Sequence, residues 1–210
     1  MKKAIDFSLL FLVMITFSCK NGGQNKVEPN QFSEKVLDIA SQKIIDDLRA
    51  QGMTINAGTE EPLVKGVFQT NSLVFVKDWA ASTPSRVGTK AAETKLQVVS
   101  FDTFDSTDHE AVDLYFKQAT SSGFALWKGK VSGSGNKFTA FTEDLVQYSG
   151  LTSVMLVIAI SGEVTSEGIK DYQFAQYVKE IRNDPNKLFS VGSTVILKEE
   201  DGFAEKTSVF

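Results

Sequence analysis

The chain has 210 residues, 42% of them hydrophobic and 16 of them Phe, with a formal charge of −4. This mild acidity offers no basic stripe, which excludes nucleic acid as a partner. One His and one Cys in the whole chain exclude internal disulfides, most zinc sites and most histidine-based catalysis.

The first residues are Met1, Lys2 and Lys3, followed by the apolar run Phe7 to Phe17, then Ser18 and Cys19. A basic start, an apolar stretch and a small residue before a cut are the parts of an export signal. The apolar run is about half of the roughly 20 residues a membrane-crossing helix needs, so it cannot anchor the chain by itself. Residues 1–18 are therefore read as a signal peptide. The segment 19–31 that follows, with Gly22, Gly23 and Asn21, Asn25 and Asn30, lacks apolar periodicity and reads as a flexible tether. Residues 32–210 form a single β-rich domain in this reading. Once Lys2, Lys3 and Asp6 are removed, 20 basic and 25 acidic residues remain.

TFSC, from Thr16 to Cys19, resembles the lipobox of bacterial lipoproteins, with Ser18 in the small position before the cysteine. The resemblance implies diacylglyceryl modification of Cys19, acylation of palmitate type, and attachment to a membrane through those chains. Each buried methylene contributes about 0.8 kcal/mol, so several chains on one residue hold stably. With its β-rich domain, the chain also resembles the short exported lipoproteins of Bacteroidota. In that group an acidic run after the cysteine accompanies surface transport. Lys20, Asn21, Gly22 and Gly23 carry no acid, which implies the outer membrane facing the periplasm.

From Phe32 to Gln51, apolar residues at helical spacing (Phe32, Val36, Leu37, Ala40, Ile44, Ile45, Leu48) predict one amphipathic helix over 32–51, stopped by Gly52. Its mixed, slightly acidic polar face suits packing on its own domain better than lying on lipid. From Leu63 onward the period changes to two. VKGVFQ, SLVFVKDW, KLQVVSF, AVDLYFKQ, GFALWKGKV, NKFTAFTE, LTSVMLVIAIS and SVGSTVILK read as strands. Leu151 to Ile160 is apolar on both faces, as a strand covered on two sides must be. Asp171 to Asn183 reads as a second helix, with Asp171 as N-cap and Pro185 beyond its end. The polar tail after Gly202 is expected to pack loosely.

The expected fold is mainly β: an antiparallel β-barrel or two-layer β-sandwich with an N-terminal amphipathic helix and a second helix near the C-terminus. The element order over roughly 63–198 is similar to that of the lipocalin and calycin barrels, although Phe68 stands where that family has a tryptophan.

Candidate chemistry is sparse. Asp102, Asp105 and Asp108, with Glu110, form the densest acidic cluster and are a candidate calcium site, because hard cations take carboxylate and carbonyl oxygens. Their spacing is unlike an EF-hand, and a charged loop between strands is the plainer account. Glu199, Glu200 and Asp201 invite the same two readings. His109 sits in that first stretch and reads as a solvated loop residue. Gly129 to Thr139 lacks phosphate-loop spacing, and Ser132 to Asn136 reads as a hairpin turn. Trp79 and Trp127, near strand ends, are candidates for stacking a flat ligand. No catalytic residue, metal or cofactor is assigned.

The resulting expectation is a non-enzymatic, membrane-tethered envelope module that binds a small apolar ligand, a glycan or an envelope protein. The alternatives are a hydrolase working through carboxylates and a structural or adhesive protein. A pocket holding two or more carboxylates would favour the hydrolase, and an apolar cup would favour ligand binding. The anchor is testable on its own. In cells fed labelled palmitate, the wild-type chain should take up label and Cys19→Ser should not; label retained in the variant would refute lipidation at this residue.

Overall fold

A computed structural model describes residues 31–60, 62, 64–79, 84–100, 111–118, 122–148 and 152–210. Two short helices, α1 (Glu34–Ile39) and α2 (Gln42–Ala50), precede ten strands: β1 (Gly66–Thr70), β2 (Leu73–Lys77), β3 (Thr94–Ser100), β4 (Ala111–Gln118), β5 (Ala125–Ser134), β6 (Lys137–Gln147), β7 (Ser153–Val164), β8 (Gly168–Asn183), β9 (Thr194–Glu199) and β10 (Phe203–Thr207). All pairings between strands are antiparallel, and neighbours from β3 to β9 follow chain order.

The sheet closes on itself. β1 pairs with both β3 and β10, and β10 pairs with the start of β8. Further along, β2 pairs with β9, and β9 with the middle of β8. Thus β1–β2 and β9–β10 each run as one bent stave, and the molecule is a closed antiparallel barrel of eight staves. The mainly β expectation is met, and between barrel and sandwich the fold is a barrel.

Alternation along each strand divides the side chains between two cores. Phe68, Leu96, Leu114, Phe138, Leu156, Ile158, Ile160 and Tyr172 point into the barrel. Phe141, Val157, Ala159, Ala175, Tyr177 and Ile196 point outward from β6 to β9 and are covered by Phe32, Val36, Ala40, Ile44, Ile45 and Leu48 of the helices. This second core is why β7 is apolar on both faces. Elsewhere the outer wall carries Lys117, Lys128, Lys130 and Glu143. An apolar interior under a charged exterior is the reverse of a membrane-spanning barrel. Among the described residues no helix is long and apolar enough to cross a membrane.

Three expectations need correction. Residues 171–183 are not a helix but most of β8. Tyr172, Phe174 and Val178 face inward while Ala175 and Tyr177 face the helices. A strand buried on both faces imitates a helical stripe, because apolar residues then need no period of two. Asp171, expected as an N-cap, has φ 54 and donates its N–H to the carbonyl of Gly202, where β8 passes from β10 to β9. The tail after Gly202 is β10, the strand that closes the sheet. The predicted helix over 32–51 is broken at Ala40, which is extended at φ −120 and ψ 96. A straight helix touches a curved wall over a short length, and the break lets Val36 and Ile45 both reach it. Ser33 caps α1 by accepting the N–H of Val36 at 3.3 Å. Tyr177 ties α2 to β8 by donating to Asp47 Oδ2 at 2.7 Å. That bond and burial push the tyrosine up to about 12, with burial the larger cause.

The two bent staves kink side by side, between Thr70 and Leu73 and between Glu199 and Phe203. The first kink frees two backbone N–H groups, of Asn71 and Ser72. Glu199 Oε1 accepts both, at 3.1 and 2.6 Å. Its other oxygen and the hydroxyl of Tyr172 are buried with no hydrogen-bond partner among the described residues. Burial raises the Glu199 carboxyl above its ordinary value of 4.5, outweighing the two N–H groups that lower it. The folded protein therefore holds this proton to higher pH than the unfolded chain, and Glu199 costs stability as pH rises from about 4.5 through its folded-state value. Glu199→Gln keeps an acceptor for both N–H groups and removes the charge. In thermal melts its Tm should exceed that of the wild type by a widening margin from pH 4.5 to pH 8, each kcal/mol appearing as about 2–4 °C. A margin that shrinks or reverses with pH would show the carboxylate to be net stabilising.

Candidate functional site

The two ends of the barrel differ. At one end Pro62, Val64, Val98, Val112, Val131, Phe138 and Ala140 leave about 10 Å³, which is packed solid. The chain preceding β1 laces this end shut. Asn56 donates its N–H to Thr139 Oγ1 and its amide to the Phe138 carbonyl, both at 2.8 Å, and Ser132 donates to the carbonyls of Asn56 and Gly58. Gly58 and Gly133 make the closest approach. A Cβ on Gly58 would lie 2.0 Å from the Gly133 carbonyl oxygen, and the positive φ of 144 suits glycine.

At the other end a cavity of about 310 Å³ opens. Inward positions of successive staves build it: Leu73 and Phe75 from β2, Thr94 from β3, Phe116 and Gln118 from β4, Trp127 from β5, Phe174 and Gln176 from β8, Val195 and Leu197 from β9. Trp79, Arg86, Ala91 and Ala92 come from the connection between β2 and β3, and Tyr148 from just beyond β6. The aromatic rings support one another. Phe116 stacks on Trp127 with centroids 5.3 Å apart and on Phe174 at 5.4 Å. At the rim, Phe189 meets Tyr148 at 4.7 Å and Trp79 at 5.7 Å.

Two carboxylates that are not themselves on the lining hold it in place. Asp144 Oδ2 accepts Trp127 Nε1 at 3.0 Å and so sets the indole plane. Asp78, whose side chain is 2% exposed, gathers the β2–β3 connection. It accepts the N–H of Trp79 and of Arg86, both at 2.8 Å, the Arg86 Nε through both oxygens at 3.2 and 3.1 Å, and Nη2 at 2.5 Å. The guanidinium, held above its ordinary pKa chiefly by those bonds, lies 4.3 Å over the ring of Phe75. Burial raises the Tyr148 hydroxyl, and Asp144 raises it further against the pull of Arg86, so it remains protonated and able to donate at neutral pH.

Both residues expected to stack a flat ligand, Trp79 and Trp127, thus line one cavity, brought there from different staves. They are the only two tryptophans in the chain. Cys19, His109 and the candidate calcium residues Asp102, Asp105 and Asp108 lie outside the described residues. Glu199, Glu200 and Asp201 do not converge on a cation. Glu199 is turned into the barrel, Glu200 pairs with Lys90 at 2.6 Å, and Asp201 accepts the N–H of Phe203. Among the described residues no three His, Cys, Asp or Glu side chains gather to hold a metal ion. The cavity's Phe residues read only as core in the sequence, and Arg86, Gln118 and Gln176 carried no signal there.

Comparison with known proteins gives no matching family model, no matching curated protein and no matching solved structure.

Proposed function

We propose that this barrel is a non-enzymatic binding module that receives a small, flat, largely apolar ligand in the cavity at its open end, and that acyl chains on Cys19 tether it to the bacterial envelope. The observation that carries the reading is the lining. Six aromatic side chains surround about 310 Å³, and among the described residues no carboxylate joins the lining. Ligand cavities are typically concave and mainly apolar, with a few polar groups, from about 300 Å³ upward. Hydrolysis through carboxylates needs two of them facing the substrate, whereas Asp78 and Asp144 are committed to holding lining residues. The element order similar to lipocalin and calycin barrels points the same way.

The chain's entry supports the arrangement. The carbonyl of Gln31 accepts the N–H of Gly58 at the packed end, so the proposed tether meets the barrel opposite the mouth. An outer-membrane attachment facing the periplasm would then leave the mouth free toward the aqueous side. A second reading, contact with an envelope protein, draws on the outer wall, where Phe124 and Leu126 are exposed and Phe124 packs with Tyr115 and Phe210.

Because both tryptophans line the cavity, a bound fluorophore must report on them. N-phenyl-1-naphthylamine, a neutral two-ring probe, should bind the purified chain at one site, quenching tryptophan emission by energy transfer. Gln118→Phe, a change at an exposed lining position, should weaken it at least tenfold by filling the cavity. Absence of saturable quenching, or affinity unaffected by the substitution, would rule this cavity out as the binding site.

A further inference from the structure

The polar groups of the mouth divide by whether their capacity is already used. Among the described residues Arg86 is the only charged one on the lining, and its Nε and Nη2 are taken by Asp78. A ligand anion reaching for that guanidinium would stand beside a carboxylate that is itself buried, and drawing Arg86 away would strand that carboxylate. A ligand cation fares no better. Arg86 repels it and already covers the ring of Phe75, and Asp144, which accepts the Trp127 indole N–H, is not on the lining. Gln118 and Gln176 are different. Each brings an amide with donors and an acceptor, and neither side chain has a hydrogen-bond partner among the described residues.

We infer that the cavity selects an uncharged planar ligand with a hydrogen-bonding edge: the rings lie among Phe116, Trp127 and Phe174, and the edge meets the amides of Gln118 and Gln176. This rests on the binding reading given above and names the ligand class for the same site. Asp78 acts here as a charge screen. It cancels the charge of Arg86 while anchoring the connection that carries it.

Two probes of nearly one shape separate the cases: N-phenyl-1-naphthylamine, which is neutral, and 8-anilino-1-naphthalenesulfonate, which adds a sulfonate. The wild-type chain should bind the neutral probe at least tenfold tighter. Any apolar cup prefers the neutral probe to some degree, so the variants carry the decision. Asp78→Asn uncovers the guanidinium and should shift the ratio of sulfonate to neutral-probe affinity about tenfold toward the sulfonate. Asp78→Asn combined with Arg86→Gln removes both charges of the pair, leaves the net charge of the mouth as it was, and should change that ratio less than threefold, which keeps the test decisive where Asp78→Asn loosens the mouth. Sulfonate binding as tight as the neutral probe, or a tenfold relative loss of the sulfonate in the double variant, overturns the uncharged class and leaves the binding site standing. If neither probe quenches the tryptophans, the binding reading falls, and this inference with it.

Discussion

β10 makes two sets of backbone hydrogen bonds, to β1 on one side and to the first residues of β8 on the other, and together they join the two ends of the sheet, while residues 88–91 pair along the other side of β2. An unpaired edge strand presents a row of N–H and C=O groups to any other chain, and closure is the complete remedy. Closure also imposes a shape. Eight staves enclose an interior just wide enough for side chains to fill or for one small ligand. The barrel uses both options, one at each end.

Which end is filled follows from side chains and from the connection that crosses it. At the packed end, Val98, Val112, Val131 and Ala140 are small enough to meet across the axis, and Pro62 and Val64 complete the plug. At the mouth the inward positions of the same staves carry Phe116, Trp127 and Phe174, whose rings stack against one another along the wall. Rings stacked in this way line a space without filling it. β9 links the seam to the mouth: Val195 and Leu197 line the cavity, and two residues on, Glu199 closes the kink between β1 and β2. The alternation of one strand thus serves ligand space and barrel closure together.

The strands that alternate were legible in the sequence, because each has one wet face. β8 was not. Covered outside by α2 and inside by the barrel, it carries apolar residues at Phe174, Ala175, Tyr177 and Val178, which fit a helical stripe as well as a strand. β10 was missed for the opposite reason: of FAEKT only Ala204 is fully buried, and its place in the sheet comes from backbone pairing that side-chain pattern does not record. Of the site, Trp79 and Trp127 were visible as aromatics near strand ends. Their convergence needed the stave order, and Gln118 and Gln176 are marked only by pointing inward where the barrel widens.

The Asp78–Arg86 pair looks at first like a binding group, since an arginine in an apolar cavity invites an anion. Its geometry argues for a structural use. A hydrogen bond to a charged group contributes on the order of 1.5–3 kcal/mol, and Asp78 accepts two backbone N–H groups besides the guanidinium. A ligand that captured Arg86 would have to exceed that contribution and also offset a stranded buried carboxylate, at roughly 3–5 kcal/mol. A rim contact in partial water returns far less, because an exposed ion pair is worth about 0–1 kcal/mol, and the Arg86 side chain is 46% exposed. The balance leaves the guanidinium with Asp78, so the aromatic walls and the free amides are left to decide what the cavity accepts.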